Sequence, residues 1–194
     1  MIESSELIKK YPWLKVSKDE AQHSWADLMP QGWRVAFGDF FFEDLDEALK
    51  TAYPDGIPED FRIMDLKEKW GKLTVYLTSE PEVVSDVLWK YEYISSFVCI
   101  ICGAPYPFAQ MTYDGWVMPQ CERCYVGRHG AEFDEYHKAY LQTVLKDSLS
   151  VCEGPEDFIT IVCSKPDGMT YEKKIEIKQT WKKIFEQYVQ NVLV

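Results

Sequence analysis

Cys99-Ile100-Ile101-Cys102 and Cys121-Glu122-Arg123-Cys124 are two Cys-x-x-Cys pairs with eighteen residues between them. Two residues between cysteines let a tight backbone turn aim both sulfurs at one ion, and two such pairs supply the four thiolates of a tetrahedral zinc site. Gly103, directly after the first pair, can take the positive-φ geometry that such a turn needs. A sphere closed by four protein ligands leaves no position for substrate, so a site of this kind supports folding and not catalysis. We therefore expect Zn2+ on Cys99, Cys102, Cys121 and Cys124. Two other readings stand beside it: reduced cysteines in a core, which would not favour matching pairs, and a redox dithiol, which one pair would satisfy. His129 and His137 follow closely and either can replace a thiolate in a three-cysteine site, which four cysteines make unnecessary. Cys152 and Cys163 read as small buried residues.

Elsewhere the chain has no Gly-rich phosphate loop, no Gly-x-Ser-x-Gly and no His-Glu-x-x-His. His23, near Trp25, reads as a partly buried structural histidine. Adjacent acids such as Glu43 and Asp44 point apart on a helix and read as a solvated face. No catalytic residue and no cofactor-binding residue is expected, and the chain reads as a non-enzyme. Lys67-Glu68-Lys69-Trp70-Gly71-Lys72 is the one basic cluster of the first half. With Trp70 it has the means to stack a base or touch phosphate; the simpler reading is a hairpin turn whose lysines aid solubility and guard strand edges.

These residues need elements to hold them. Ser17-Lys-Asp-Glu20 has the form of a capping box and predicts a helix to about Met29, ended by Pro30 and Gly32. From Trp33 to Ala52 the apolar residues recur at three- and four-residue spacing, which predicts an amphipathic helix carrying Asp39, Glu43, Asp44, Asp46 and Glu47 on its outer face. A loop over 53–58 leads to a β-hairpin, Phe61 to Lys67 and Leu73 to Thr78, turning near Gly71. Pro81 opens a helix whose stripe is Val84, Val87, Leu88, Tyr91 and Ile94. Tyr113-Asp-Gly-Trp116 is a turn, and Trp116 to Pro119 a strand into the second cysteine pair. Glu132 to Leu149 reads as a helix, Phe158 to Cys163 and Met169 to Ile177 as strands joined at Lys165-Pro-Asp-Gly168, and Gln179 to Val192 as a last helix. The expected fold class is α+β: amphipathic helices on short antiparallel hairpins with an inserted four-cysteine zinc ribbon. Its regions are an acidic helical and hairpin part (1–97), the ribbon (98–127) and a C-terminal helix-hairpin-helix part (128–194).

Seven Trp, twelve Tyr and ten Phe in 194 residues supply more apolar surface than a disordered chain leaves in water, so a packed core is expected. The apolar runs are too short to cross a membrane. The first residues, MIESSELIKKYPWL, lack the pattern of an export signal, and a cytoplasmic location with reduced or metal-bound cysteines is expected. The net charge of −11 opposes a general affinity for nucleic-acid phosphates. Residues 1–98 hold most of that charge, with 19 acids against 11 bases.

Asp65-Leu-Lys-Glu-Lys-Trp-Gly-Lys-Leu-Thr-Val-Tyr76, then a helix, then Cys99-x-x-Cys102-Gly103 and Trp116 shortly before Cys121-x-x-Cys124, resembles a group of phage and bacterial zinc-ribbon proteins. The resemblance covers about residues 32–126. The group has Phe-Gly-Gly-Leu-Arg where this chain has Trp70-Gly-Lys-Leu-Thr74. It implies a zinc-bearing fold and a phage or mobile-element setting, and no particular activity.

Two functions follow as expectations. One is a non-enzymatic acidic binding protein that inhibits or neutralises a cytoplasmic protein with a basic surface, as an immunity or phage anti-defence protein does. The other is a nucleic-acid-associated zinc-ribbon module of transcription or replication, an argument by analogy of fold. Neither reading fixes an oligomeric state.

Overall fold

The computed structural model of the chain describes residues 4–16, 23–106, 108–113, 115–129 and 170–192. Helices and strands are mixed in it, with helices packed around two separate antiparallel hairpins. Helix α1 (Ser4–Lys10) buries Leu7 and Ile8, and a single 3-10 turn, Pro12–Leu14, buries Trp13 and Leu14. The helix expected up to Met29 does not form over its described part. Ser24 is extended and bridged to Lys15, which excludes it from a helix interior, and only one 3-10 turn, Trp25–Asp27, follows. Asp27 caps that turn by accepting from the Ser24 backbone N–H at 3.0 Å. The Ser17 and Glu20 of the expected capping box lie outside the described residues. His23 is exposed and not partly buried, because it precedes the turn that carries Trp25 and Ala26 inward.

The predicted helix after Pro30 is present. It opens as α2 (Gln31–Trp33), passes through a π-helical stretch (Arg34–Gly38) and continues as α3 (Asp39–Ala52). The spacing of Phe41, Phe42, Leu45, Ala48 and Leu49 turns one face of α3 into the core. Strands β1 (Ile63–Lys69) and β2 (Lys72–Leu77) pair antiparallel with Leu66 opposite Val75. Their two-residue turn, Trp70-Gly71, has φ of 55° and 77°, the type I′ geometry that suits the strand twist. Helix α4 (Glu82–Ser95) follows, with Pro81 at its N-cap and Val84, Tyr91 and Ile94 buried.

Helices α3 and α4 are joined by aromatic packing and by charge. The Phe41 and Tyr91 rings meet edge to face at 5.2 Å, and Asp44 accepts from Lys90 Nζ at 2.6 Å and from the Tyr91 hydroxyl at 2.7 Å. Burial, with the charge of Asp44, pushes the Tyr91 hydroxyl far above its usual range, so it stays a donor. The expected outer acidic face of α3 is thereby reduced. Asp44 turns toward α4, and Asp46 accepts from Trp13 Nε1 at 3.1 Å and pairs with Lys50, whereas Asp39, Glu43 and Glu47 remain exposed.

Strands β3 (Ala109–Tyr113) and β4 (Val117–Cys121) form the second hairpin, and helix α5 (Glu122–His129) starts directly after it. The described part of the C-terminal region departs from the expectation. Tyr171–Val192 is one helix, α6, where a strand over Met169 to Ile177 was expected. Ile177, Trp181, Ile184 and Tyr188 share one helical face, and the first three are buried in the same core cluster as Trp33 and Phe37, so burial favours the 3.6-residue period over the local alternation around Ile175. The expected helix over 132–149, strand over 158–163 and turn over 165–168 lie outside the described residues, as do His137, Cys152 and Cys163.

Candidate metal centre

Three backbone features place the first cysteine pair. Val98 and Pro105 bridge antiparallel, the Cys99 N–H donates to Ala104 O at 2.8 Å, and the Gly103 N–H donates to Cys99 O at 2.9 Å. Residues 98–105 are therefore a tight hairpin with both sulfurs on its inner side. Gly103 sits at φ 80° and packs against Gly32 O, where a Cβ would come to 2.7 Å. The hairpin rests on the start of α2, with the Gly32 N–H donating to Ile100 O at 2.9 Å and Trp33 Nε1 to Val98 O at 2.9 Å.

The second pair is held differently from the expected facing turn. Cys121 ends β4 and Cys124 lies in the first turn of α5, so the strand-to-helix junction bends both sulfurs toward the first pair. The positive end of the helix dipole favours thiolate there. Ile100 N–H donates to Pro119 O at 2.9 Å and ties the two halves together. Ligand sulfurs of all four residues lie within 4.8 Å of one another, with Cys102 Sγ to Cys121 Sγ at 3.6 Å. Four sulfurs about 2.3 Å from one ion stand roughly 3.8 Å apart in a tetrahedron, so the spacing fits a single metal ion and is far too long for a disulfide bond of about 2.05 Å.

Hydrogen bonds from Cys102 and Cys121, followed by their backbone N–H groups, hold the Cys99 thiol well below its usual range. The same contacts and burial push Cys121 up, and burial together with the Cys99 charge pushes Cys124 up to about 12. Sulfurs packed this closely share little negative charge without a cation, and a dication at their centre removes the repulsion.

Sequence reading singled out the four cysteines that the structure brings together and that could hold a metal ion, and missed what covers them. Cys99, Cys121, Ala104 and Ala109 form a small cluster of their own, and Tyr188 of α6 packs against it. Phe108 stacks on Phe185 with ring centroids 6.1 Å apart and 9° between planes, and meets Tyr188 at 5.5 Å. One helix thus serves both regions, with Ile177, Trp181 and Ile184 in the main core, Phe185 packed against it, and Tyr188 over the cysteines. Its 3.6-residue period was the signal that would have found it. The Lys67–Lys72 turn is also bound into this region: Trp70 stacks on Trp116 at 5.8 Å and 9°, while Glu68 accepts from Trp116 Nε1 at 2.9 Å and from the Gly71 N–H at 2.6 Å. Among the described residues these four cysteines are the one group of cysteine, histidine and acidic side chains close enough together to hold a metal ion, and His129 is the last residue of α5.

No known protein family, curated protein or solved structure matches the chain.

Proposed function

We propose that this chain is a non-enzymatic, zinc-stabilised acidic binding protein that docks on a basic cytoplasmic protein and neutralises it, in the manner of an immunity or phage anti-defence protein. Zinc is the ion suited to a closed four-thiolate set, and such a sphere leaves no position for substrate. The observation that carries the reading is the row Asp39, Glu43 and Glu47. These residues follow one another at four-residue spacing on α3, all exposed, and none forms an ion pair among the described residues. Like charges at this spacing cost about 0.2–0.5 kcal/mol per pair in the free protein. A basic surface laid along the row converts that cost into attraction and speeds encounter. Affinity capture from the native host, followed by titration against salt, tests it: a basic protein should be recovered, its affinity should fall steeply with salt, and Asp39→Lys with Glu43→Lys and Glu47→Lys should abolish capture. Salt-independent binding, or no basic partner, refutes the reading.

One observation favours the nucleic-acid alternative. Trp70 and Trp116 are stacked yet 63% and 46% exposed, beside Lys69 and Lys72. A mobility-shift assay at low salt decides it, because no shift at micromolar protein removes it.

A further inference from the structure

A second surface lies at the C-terminal end of α3. The chain leaving that helix folds back in two hydrogen-bonded turns, Gly56 N–H to Tyr53 O at 3.0 Å and Phe61 N–H to Pro58 O at 2.9 Å. Against the Pro12–Leu14 turn they enclose a cavity of about 510 Å³. Its lining includes Trp13, Tyr53, Ile57 and Phe61, three prolines (Pro12, Pro54 and Pro58) and the charged side chains of Lys50 and Glu59. Trp13 and Phe61 are fixed in the core at 7% exposure each, and the prolines pre-set their own backbone, so the cavity is formed before anything enters it. The polar tips of its aromatic walls are already used: Trp13 Nε1 donates to Asp46 at 3.1 Å and the Tyr53 hydroxyl to Ser79 Oγ at 2.9 Å. Besides the charges of Lys50 and Glu59, the walls offer a guest mainly apolar surface.

Charge decides which guest. Asp55, Glu59 and Asp60 are exposed on the same loop and form no ion pair among the described residues. Against them stand Arg62 and Lys50, and Lys50 is held by Asp46 at 2.6 Å. We infer that this cavity seats an extended, proline-containing segment carrying arginine or lysine. The proline and its apolar neighbour would lie between Trp13, Tyr53 and Phe61, with the cationic side chains on Asp55, Glu59 and Asp60. Aromatic grooves take such segments because a polyproline helix is already ordered and loses little entropy on binding. The inference deepens the reading of an acidic protein with a basic partner, and names the element of the partner that anchors.

Fluorescence anisotropy on the full zinc-loaded chain tests it. The probe is a fluorescein-labelled dodecapeptide of alternating proline and leucine with two arginines at each end. Two comparison peptides are oligolysine of the same length and the probe with glutamates in place of arginines. The probe should bind, the glutamate peptide should bind at least about tenfold more weakly, and Glu59→Trp, which places a large ring at the exposed rim, should weaken the probe about tenfold. A thermal melt of Glu59→Trp checks folding. As a second reading, the Trp13 indole and Gly56 amide signals should shift when the probe is titrated into 15N-labelled protein. No binding of the probe overturns the inference. So does binding that oligolysine matches with shifts confined to α3; in that case the acidic-surface reading survives alone. Probe binding in the cavity without any basic protein captured from the host has the opposite meaning.

Discussion

Replacing Gly32 by alanine should weaken both the fold and the metal site, although alanine is the better helix former. A Cβ at this position would stand 2.2 Å from Cys99 O, 2.6 Å from Ile100 C and 2.7 Å from Ile100 O. Even a close carbon–oxygen contact is about 3.3 Å, so the start of α2 and the cysteine hairpin must part by roughly 1 Å. The atoms met are backbone, which has no rotamer to retreat into. Overpacking of this kind costs about 1–3 kcal/mol, and the hydrogen bond from the Gly32 N–H to Ile100 O, at 2.9 Å, contributes about 1 kcal/mol more when stretched beyond reach. The helical preference of alanine returns about 1 kcal/mol. The net expectation is a loss of about 1–3 kcal/mol, or roughly 2–12 °C in Tm for a chain of this size. Displacing Cys99 by more than the few tenths of an ångström a metal site tolerates should also lower zinc affinity at least about tenfold. Gly127 is the matched control. It lies in α5 with nothing within 4 Å of a built Cβ, so Gly127→Ala should stabilise by about 0.5–1 kcal/mol. Calorimetry and chelator competition on both variants decide it: an unchanged Tm and unchanged zinc affinity in Gly32→Ala would refute the close packing of hairpin on helix.

Three further outcomes are expected. Chelating the metal, or Cys124→Ser, should remove hydrogen-exchange protection from residues 98–125 by about tenfold or more while the amides of Leu45 and Leu49 keep theirs, since the cysteine cluster and the main core are separate; uniform loss or no loss contradicts this. Asp44→Ala leaves the buried Lys90 ammonium without its carboxylate and should cost about 2 kcal/mol in urea denaturation, a figure kept low because Asp44 is one-third exposed. Asp27→Asn should cost up to about 1 kcal/mol at neutral pH. Burial pushes the Asp27 carboxyl up, but bonds from Ser4, the Ser24 N–H and Arg34 outweigh it and hold the group below 3.8, so its contribution is complete above that pH and fades as pH falls through the lowered value. Melts from pH 7 downward should show the two proteins converge; a gap that persists in acid refutes the assignment.

The two cysteine pairs, the long helix after Pro30, the β1–β2 turn and the α4 stripe were legible in the sequence because each is local. Cysteine spacing, a 3.6-residue period and a two-residue turn all act within a few residues. The departures are non-local. Asp44 and Glu43 are adjacent and chemically alike, and only the approach of α4, with Lys90 and Tyr91, draws one inward and leaves the other in water. Residues 171–177 alternate well enough to suggest a strand, and become helix because Ile177 and Trp181 are buried in the main core. The second cysteine pair has the same spacing as the first, yet lies on a strand end and a helix start, since β4 must pair with β3 up to Cys121 itself. The chain alone determined which side chains can grip a metal. Packing decided that Gly32 would bear the first cysteine hairpin and Tyr188 would cover the cluster, because burying apolar surface against distant segments outweighs the small local preferences of either.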